Sequence, residues 1–139
     1  MNFGLTFHHL GVAVRAPKAA RLFLGGLGYS FSPSVHDSLQ NVIVQMAEKP
    51  GSPSVEIISA GEGPGPIDRL VARYADGIVY HGCFVTKNLA ASLADIEAAG
   101  LRAVCVSEPT PAILFGGRLI SFYNIQGFGL IEIIEGPMS

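Results

Sequence analysis

Apolar and polar residues alternate along residues 5–14, with β-branched types among them, which predicts a strand. Ala16-Pro17-Lys18 follows as a helix start with proline in its first turn. Ala20, Phe23, Leu24 and Leu27 then recur at helical spacing, predicting one buried stripe, and Gly28 stands where a left-handed helix cap is needed. Short strands are predicted at residues 29–32, 41–46 and 54–59, separated by turns such as Glu48-Lys49-Pro50-Gly51-Ser52-Pro53. Residues 61–66 read as loop and 67–73 as a short helix. The order then recurs. Residues 78–86 read as strand, Asn88 as an N-cap, Leu89, Leu93 and Ile96 as a helical stripe ending at Gly100, and 101–106, 119–123 and 129–134 as strands. Both halves read β-α-β-β-β, as modules of about 5–60 and 78–135 within one domain.

The repeat extends to particular side chains. His9 precedes Gly28 by 19 positions, and His81 precedes Gly100 by 19. From each glycine to a carboxylate set in an apolar strand the count is 28 in Val55-Glu56-Ile57-Ile58 and 32 in Ile131-Glu132-Ile133-Ile134, a difference that four loop residues absorb. One His and one Glu therefore hold equivalent places in each half.

A carboxylate in an apolar strand loses its hydration at a cost of several kcal/mol unless something compensates. By strand alternation Glu132 shares a face with Leu130 and Ile134, and Glu56 with Ser54 and Ile58. His9 lies on the face of Phe7, Gly11 and Ala13, and His81 beside Cys83 and Val85, faces suited to a cavity wall. A divalent ion among two imidazoles and two carboxylates would offset both charges. Such a donor set suits Zn, Ni, Co, Mn or Fe and leaves positions for water or substrate. His8 has the opposite strand parity and is expected at a second surface or a dimer interface.

Composition narrows the partners. The 139 residues fit one domain with a sizeable core. Charged residues make up 14%, against about 25% in an average globular protein, and apolar types 49%, so a disordered chain is excluded. With a net charge of −2 and no basic run, neither nucleic acid nor an anionic membrane surface is an expected partner. No apolar run reaches the roughly 18–20 residues that span a bilayer. Cys83 and Cys105 form neither a disulfide framework nor a CxxC motif, so a soluble protein of the reducing cytoplasm is expected.

The segments His9-Leu10-Gly11-Val12-Ala13-Val14, Val55-Glu56-Ile57-Ile58, His81-Gly82-Cys83-Phe84-Val85 and Leu130-Ile131-Glu132-Ile133-Ile134 resemble the four ligand segments of the vicinal oxygen chelate superfamily. That group includes glyoxalase I, methylmalonyl-CoA epimerase, extradiol dioxygenases and bleomycin-resistance proteins. The resemblance runs from about Phe7 to Glu135. It implies an α+β fold in which two βαβββ modules pair into a half-open β-barrel with helices outside, one divalent metal ion, and a homodimer. By similarity the ligands are His9, Glu56, His81 and Glu132.

The layout is most similar to methylmalonyl-CoA epimerase and its glyoxalase-like neighbours, whose shared chemistry is proton transfer beside a carbonyl. The metal would act as a Lewis acid on the carbonyl oxygens of a small carbonyl or acyl-thioester substrate, and Glu132 is the candidate base. Two departures matter. The epimerases carry a further carboxylate on the strand before the first ligand Glu, where Val44 falls here with Gln45 beside it. Glutathione-dependent glyoxalases of bacteria place an arginine four residues after the first ligand His, where this chain has Ala13. The different-class alternative is a non-catalytic small-molecule binding or resistance protein on the same scaffold.

Gln45, Cys83 and Arg118 are candidates for contact with substrate, Arg118 because it enters a strand from Phe115-Gly116-Gly117 and can hold an anion with its fork of donors. His36-Asp37 reads as a solvated loop, and Phe122 and Tyr123 as core and wall. No Ser/His/Asp arrangement emerges.

Overall fold

The computed structural model describes residues 2–63, 65–74 and 76–137, with only the main chain at residue 66. The fold is α+β, with nine strands, three α-helices and one 3-10 turn among the described residues. The chain divides into two compact units. One holds residues 9–80; the other holds the residues up to His8 together with those from His81 onward.

The unit of residues 9–80 takes most of β1 (Thr6–Val14), then α1 (Pro17–Gly26), β2 (Ser30–Phe31), β3 (Val35–Asp37), β4 (Val42–Glu48), β5 (Ser54–Ala60) and α2 (Pro66–Arg73). Its strands run in the order β2-β4-β5-β1, with β3 also on β4. β1 and β5 are parallel; the other pairs are antiparallel. The second unit takes most of β6 (Gly77–Thr86), α3 (Leu89–Ala98), β7 (Ala103–Ala112), the 3-10 turn Ile113–Phe115, β8 (Arg118–Ile125) and β9 (Gly129–Glu135), in the order β6-β9-β8-β7. Again one pair, β6 and β9, is parallel. Among the described residues β2 and β3 pair only with β4, and β7 only with β8, so each is an edge.

The repeat is therefore real, with one difference in execution. In the first unit the strand beside β4 is broken into β2 and β3 around Ser32-Pro33-Ser34, and β3 was expected to be loop. In the second unit the equivalent β7 is continuous but slips register between Cys105 and Ser107 and again between Ser107 and Thr110. Pro109 and Pro111 extend it beyond the predicted end at residue 106. Prolines and bulges are tolerated there because an edge strand has no neighbour on one side, and they discourage pairing with other chains.

Helix ends follow their predicted signals. Gly28 and Gly100 adopt φ of 99° and 85°, the left-handed conformation that stops a helix. The side chain of Asn88 accepts a hydrogen bond from the Ala91 amide, capping α3. In the second unit Ile96 of α3 packs with Tyr123, Ile125, Ile131 and Ile133, joined by Phe3, Leu5, Phe84, Leu89 and Leu93. The stripe predicted for α1 needs correction. Phe23 is 68% exposed and Leu27 47%, while Ala20, Arg21 and Leu24 are turned partly inward. The cause is polar: Arg21 donates to the Gln45 side chain at 3.2 Å, so the helix is rotated to bring its arginine, not its phenylalanine, over the sheet.

Candidate metal centre

Each unit sets one imidazole and one carboxylate side by side. In the first, the parallel register places Gly11 opposite Glu56, and His9 lies two residues before Gly11 on the same face. His9 Nε2 and Glu56 Oε1 are hydrogen-bonded at 3.1 Å, with the two residues 0% and 4% exposed. In the second, Cys83 lies opposite Glu132 and His81 stands two residues before it. His81 Nε2 and Glu132 Oε1 are 3.2 Å apart, with the residues 3% and 2% exposed. The diagonal offset is the same in both units, so one strand geometry has produced the pair twice.

The separations also suit metal donors. Two ligand atoms each about 2.1 Å from a common ion, at roughly 90–110°, stand about 3.0–3.4 Å apart. One imidazole nitrogen and one carboxylate oxygen per pair is a donor chemistry that first-row divalent ions accept. Burial gives the carboxylates a further reason to take a cation, since both lie out of bulk water.

The remaining strand of each face is apolar. Met46 pairs with Glu56 and Val44 with Ile58 in the first unit; Phe122 pairs with Glu132 and Ile120 with Ile134 in the second. Val44 and Ile120 are thus equivalent, and neither supplies another carboxylate in that row. The Phe122 ring meets the His81 imidazole edge-on, with centroids 5.4 Å apart.

Gln45, Arg118 and Cys83, expected at a substrate, each have a defined place in the strands. Gln45 pairs with Ile57, so it points to the face opposite Glu56, where its amide donates to the Ser32 carbonyl at 2.7 Å and accepts from Arg21. Strand alternation decides this: Met46, its neighbour, takes the place beside Glu56. Arg118 shares the face of Phe122 but lies at the strand's far end, where Nε donates to the Glu135 carbonyl at 3.1 Å and Nη2 to the Pro137 carbonyl. It fastens the chain's last strand. Cys83 is on the face of Glu132, fully buried, and packs with Val85, Ala112, Ile120 and Ile134.

His8, of opposite strand parity to His9, is half-buried. Its ring meets Phe115 edge-on at 5.6 Å, and Phe115 packs on the Cys83 cluster. Parity alone could not find this contact, because Phe115 comes from the turn that follows β7. Asp37 is structural, accepting from the Leu39 and Gln40 amides and the Gln40 side chain. Cys105 is exposed, and its thiol is pushed above the ordinary cysteine value by desolvation first and then by Glu108, whose carboxylate accepts its hydrogen bond at 3.5 Å.

Residues 8–122 match the profile of the glyoxalase/bleomycin resistance protein/dioxygenase superfamily. The chain belongs to that superfamily. The match takes in His9, Glu56 and His81 and ends before Glu132. The superfamily fold is equally evident among solved structures. A hypothetical protein from Bacillus halodurans C-125 superposes with a TM-score of 0.78 at 19% identity, over 97% of this chain and 96% of that one. Methylmalonyl-CoA epimerase from Mycobacterium tuberculosis gives 0.73 at 18% identity, over 94% and 87%. The Streptomyces coelicolor epimerase, solved with 2-nitronate-propionyl-CoA, gives 0.65 at 20% identity, over 95% and 98%. No curated relative matches at the level of sequence. None of the described helices is long and apolar enough to cross a membrane.

Proposed function

We propose that this superfamily member is a metal-dependent isomerase or lyase that moves a proton on the carbon beside a carbonyl, in a small carbonyl compound or an acyl thioester. His9, Glu56, His81 and Glu132 are the ligands of one divalent ion, drawn from Zn, Ni, Co, Mn and Fe, that the two modules share. The observation carrying this reading is the buried imidazole–carboxylate pair formed twice at register-equivalent places. Two hydrogen-bonded core histidines would need no such recurrence, and two buried carboxylates would be costly without a cation.

When bound, the ion supplies Lewis acidity toward the carbonyl oxygen, which acidifies the adjacent C–H. Glu132 accepts the proton at a side-chain oxygen and returns it. His81, braced by the edge of Phe122, fixes the carboxylate's direction. Val44 and Ile120 exclude water from the row beyond the carboxylates and offer no second acid there. A proton lifted and returned by one carboxylate on one face fits an isomerase or lyase better than an epimerase with two opposed bases. Similarity in fold to epimerases that hold methylmalonyl-CoA or its nitronate analogue supports a thioester or carbonyl substrate. We place the protein in the cytoplasm, as a homodimer.

Metal analysis of the purified protein, followed by solvent-deuterium exchange into 2-methyl acyl-CoAs and 2-oxoaldehyde thiol adducts, tests the proposal. Exchange at the α-carbon by the wild type, lost in Glu132→Gln, is expected. Bound metal with no exchange into any compound would favour the binding-protein alternative, and equal exchange by both proteins would remove Glu132 as the base.

A further inference from the structure

The face of the second unit that bears His81 and Glu132 can be followed row by row from the strand register. Beyond the pair it presents Cys83 and Val85 from β6, Ile134 from β9, Ile120 and Phe122 from β8, and Ala112 from the end of β7, with Thr110 and Ser107 of β7 opposite Ile120 and Phe122 at the outer edge. Cys83, Val85, Ala112, Ile120 and Ile134 form one buried cluster. Two rings cover that cluster while remaining partly open to solvent: Phe122, across the sheet from Glu132, and Phe115, from the 3-10 turn. Each is edge-on to an imidazole, Phe122 to His81 and Phe115 to His8.

The charge on this face is equally telling. Apart from Glu132, the one charged side chain in these rows is Arg118, and two of its donors are committed to the carbonyls of Glu135 and Pro137. An anionic group lying over the face would lose water and meet hydrocarbon, with no more than the Thr110 and Ser107 hydroxyls at the outer edge. An aryl or alkyl group would leave water and meet two phenylalanine rings.

We infer that Phe122 and Phe115 are specificity-determining residues. They receive the uncharged apolar group carried by the carbonyl that the neighbouring centre engages, so the substrate class is an aryl- or alkyl-bearing carbonyl compound with no anionic group at that end. This inference rests on the proposed metal centre. It adds the identity of what flanks the carbonyl.

Hydroxamates test it, because they share one metal-chelating head and differ in the attached group. Protein loaded with whichever of Zn, Ni, Co and Mn raises its melting midpoint most is titrated by calorimetry with acetohydroxamate, benzohydroxamate and the monohydroxamate of succinate. The expected order is benzohydroxamate tightest, by about tenfold or more over acetohydroxamate, the ratio that burying one face of a phenyl ring provides. The succinate compound should bind no more tightly than acetohydroxamate. In Phe122→Ala and Phe115→Ala the aryl-to-methyl ratio should fall toward one, whatever happens to the affinity common to both ligands, and Phe122→Leu should keep part of it. Equal binding of all three by the wild type, or a preference for the succinate compound, would overturn the inference and leave the metal centre standing. Binding of none by protein loaded with that ion would overturn the inference, and no thermal response to any of the ions would overturn the metal centre as well.

Discussion

Replacing Glu132 by glutamine separates a metal ligand from an ordinary buried carboxylate. The substitution keeps the volume in a place where Cys83 and Phe122 flank the side chain and the residue is 2% exposed. In protein stripped of metal, a charge-assisted contact to His81 is exchanged for a neutral one, while the desolvation cost of a buried charge disappears. These effects oppose each other, and stability should change by no more than about 1 kcal/mol. In the presence of a cation the two proteins should diverge. A ligand at one hundred times its dissociation constant stabilises the native state by about 2.7 kcal/mol. For 139 residues the entropy of unfolding is about 0.29 kcal/mol/K, from roughly 2.1 cal/mol/K per residue, so the midpoint should rise by about 9 °C. The assay is calorimetric melting of chelator-treated protein with each of Zn, Ni, Co and Mn in turn, and with Fe under anaerobic conditions. Wild type should respond to at least one ion and Glu132→Gln to none at the same concentration. An equal rise in both proteins, or no rise in the wild type with any ion, would refute the reasoning.

Further expectations concern the other residues. His9→Ala and His81→Ala should each abolish the cation-dependent rise, because the pairs are equivalent; retention in either one, by the same melting assay, would remove that histidine from the ligand set. Gln45→Leu should cost about 1–3 kcal/mol in urea denaturation, through the partners it leaves at Ser32 and Arg21, and leave the cation response intact. Asn88→Ala should cost about 1 kcal/mol, and amide exchange should quicken first at Ala91, which the side chain caps. Titration of the native protein with an aromatic disulfide should show one reactive thiol, Cys105, with Cys83 reacting only on unfolding. Because the Cys105 pKa is raised, thiolate is scarcer at mildly alkaline pH and the rate should climb with pH past the range of an ordinary cysteine. Glu108→Gln should speed the reaction.

The sequence was most legible where one residue sufficed to carry a signal. Asn88, Gly28 and Gly100 marked helix ends because capping and left-handed geometry are local requirements. The His and Glu of each half could be paired by counting because a parallel strand pair fixes the diagonal between them. What could not be read depended on partners distant in sequence. The inward turn of Arg21 is set by Gln45 on β4, and apolar periodicity alone favoured Phe23. The contact of His8 with Phe115 joins residues from opposite ends of the chain. β3 is three residues long and is held by its pairing with β4, so no internal pattern announced it. Val44, read by resemblance at the position of a second base, pairs with Ile58, one step along the face from Glu56, while its neighbour Gln45 faces away, which is the one-residue sensitivity of strand parity.

The first strand of the chain changes allegiance between His8 and His9. Phe3 and Leu5 pack with Ile131 and Ile133, and Phe7 meets Phe84 edge-on at 5.8 Å. The opening segment is thus a wedge on loan to the other half. A gene cut after residue 80 would yield two polypeptides that each lack a clean inventory: the leading one bears a greasy arm with nothing to cover, and the trailing one a core missing its plug. Only co-expression should return soluble material, whereas a reordered chain in which residues 81–137 precede residues 2–80 should keep the arm linked to the half that needs it.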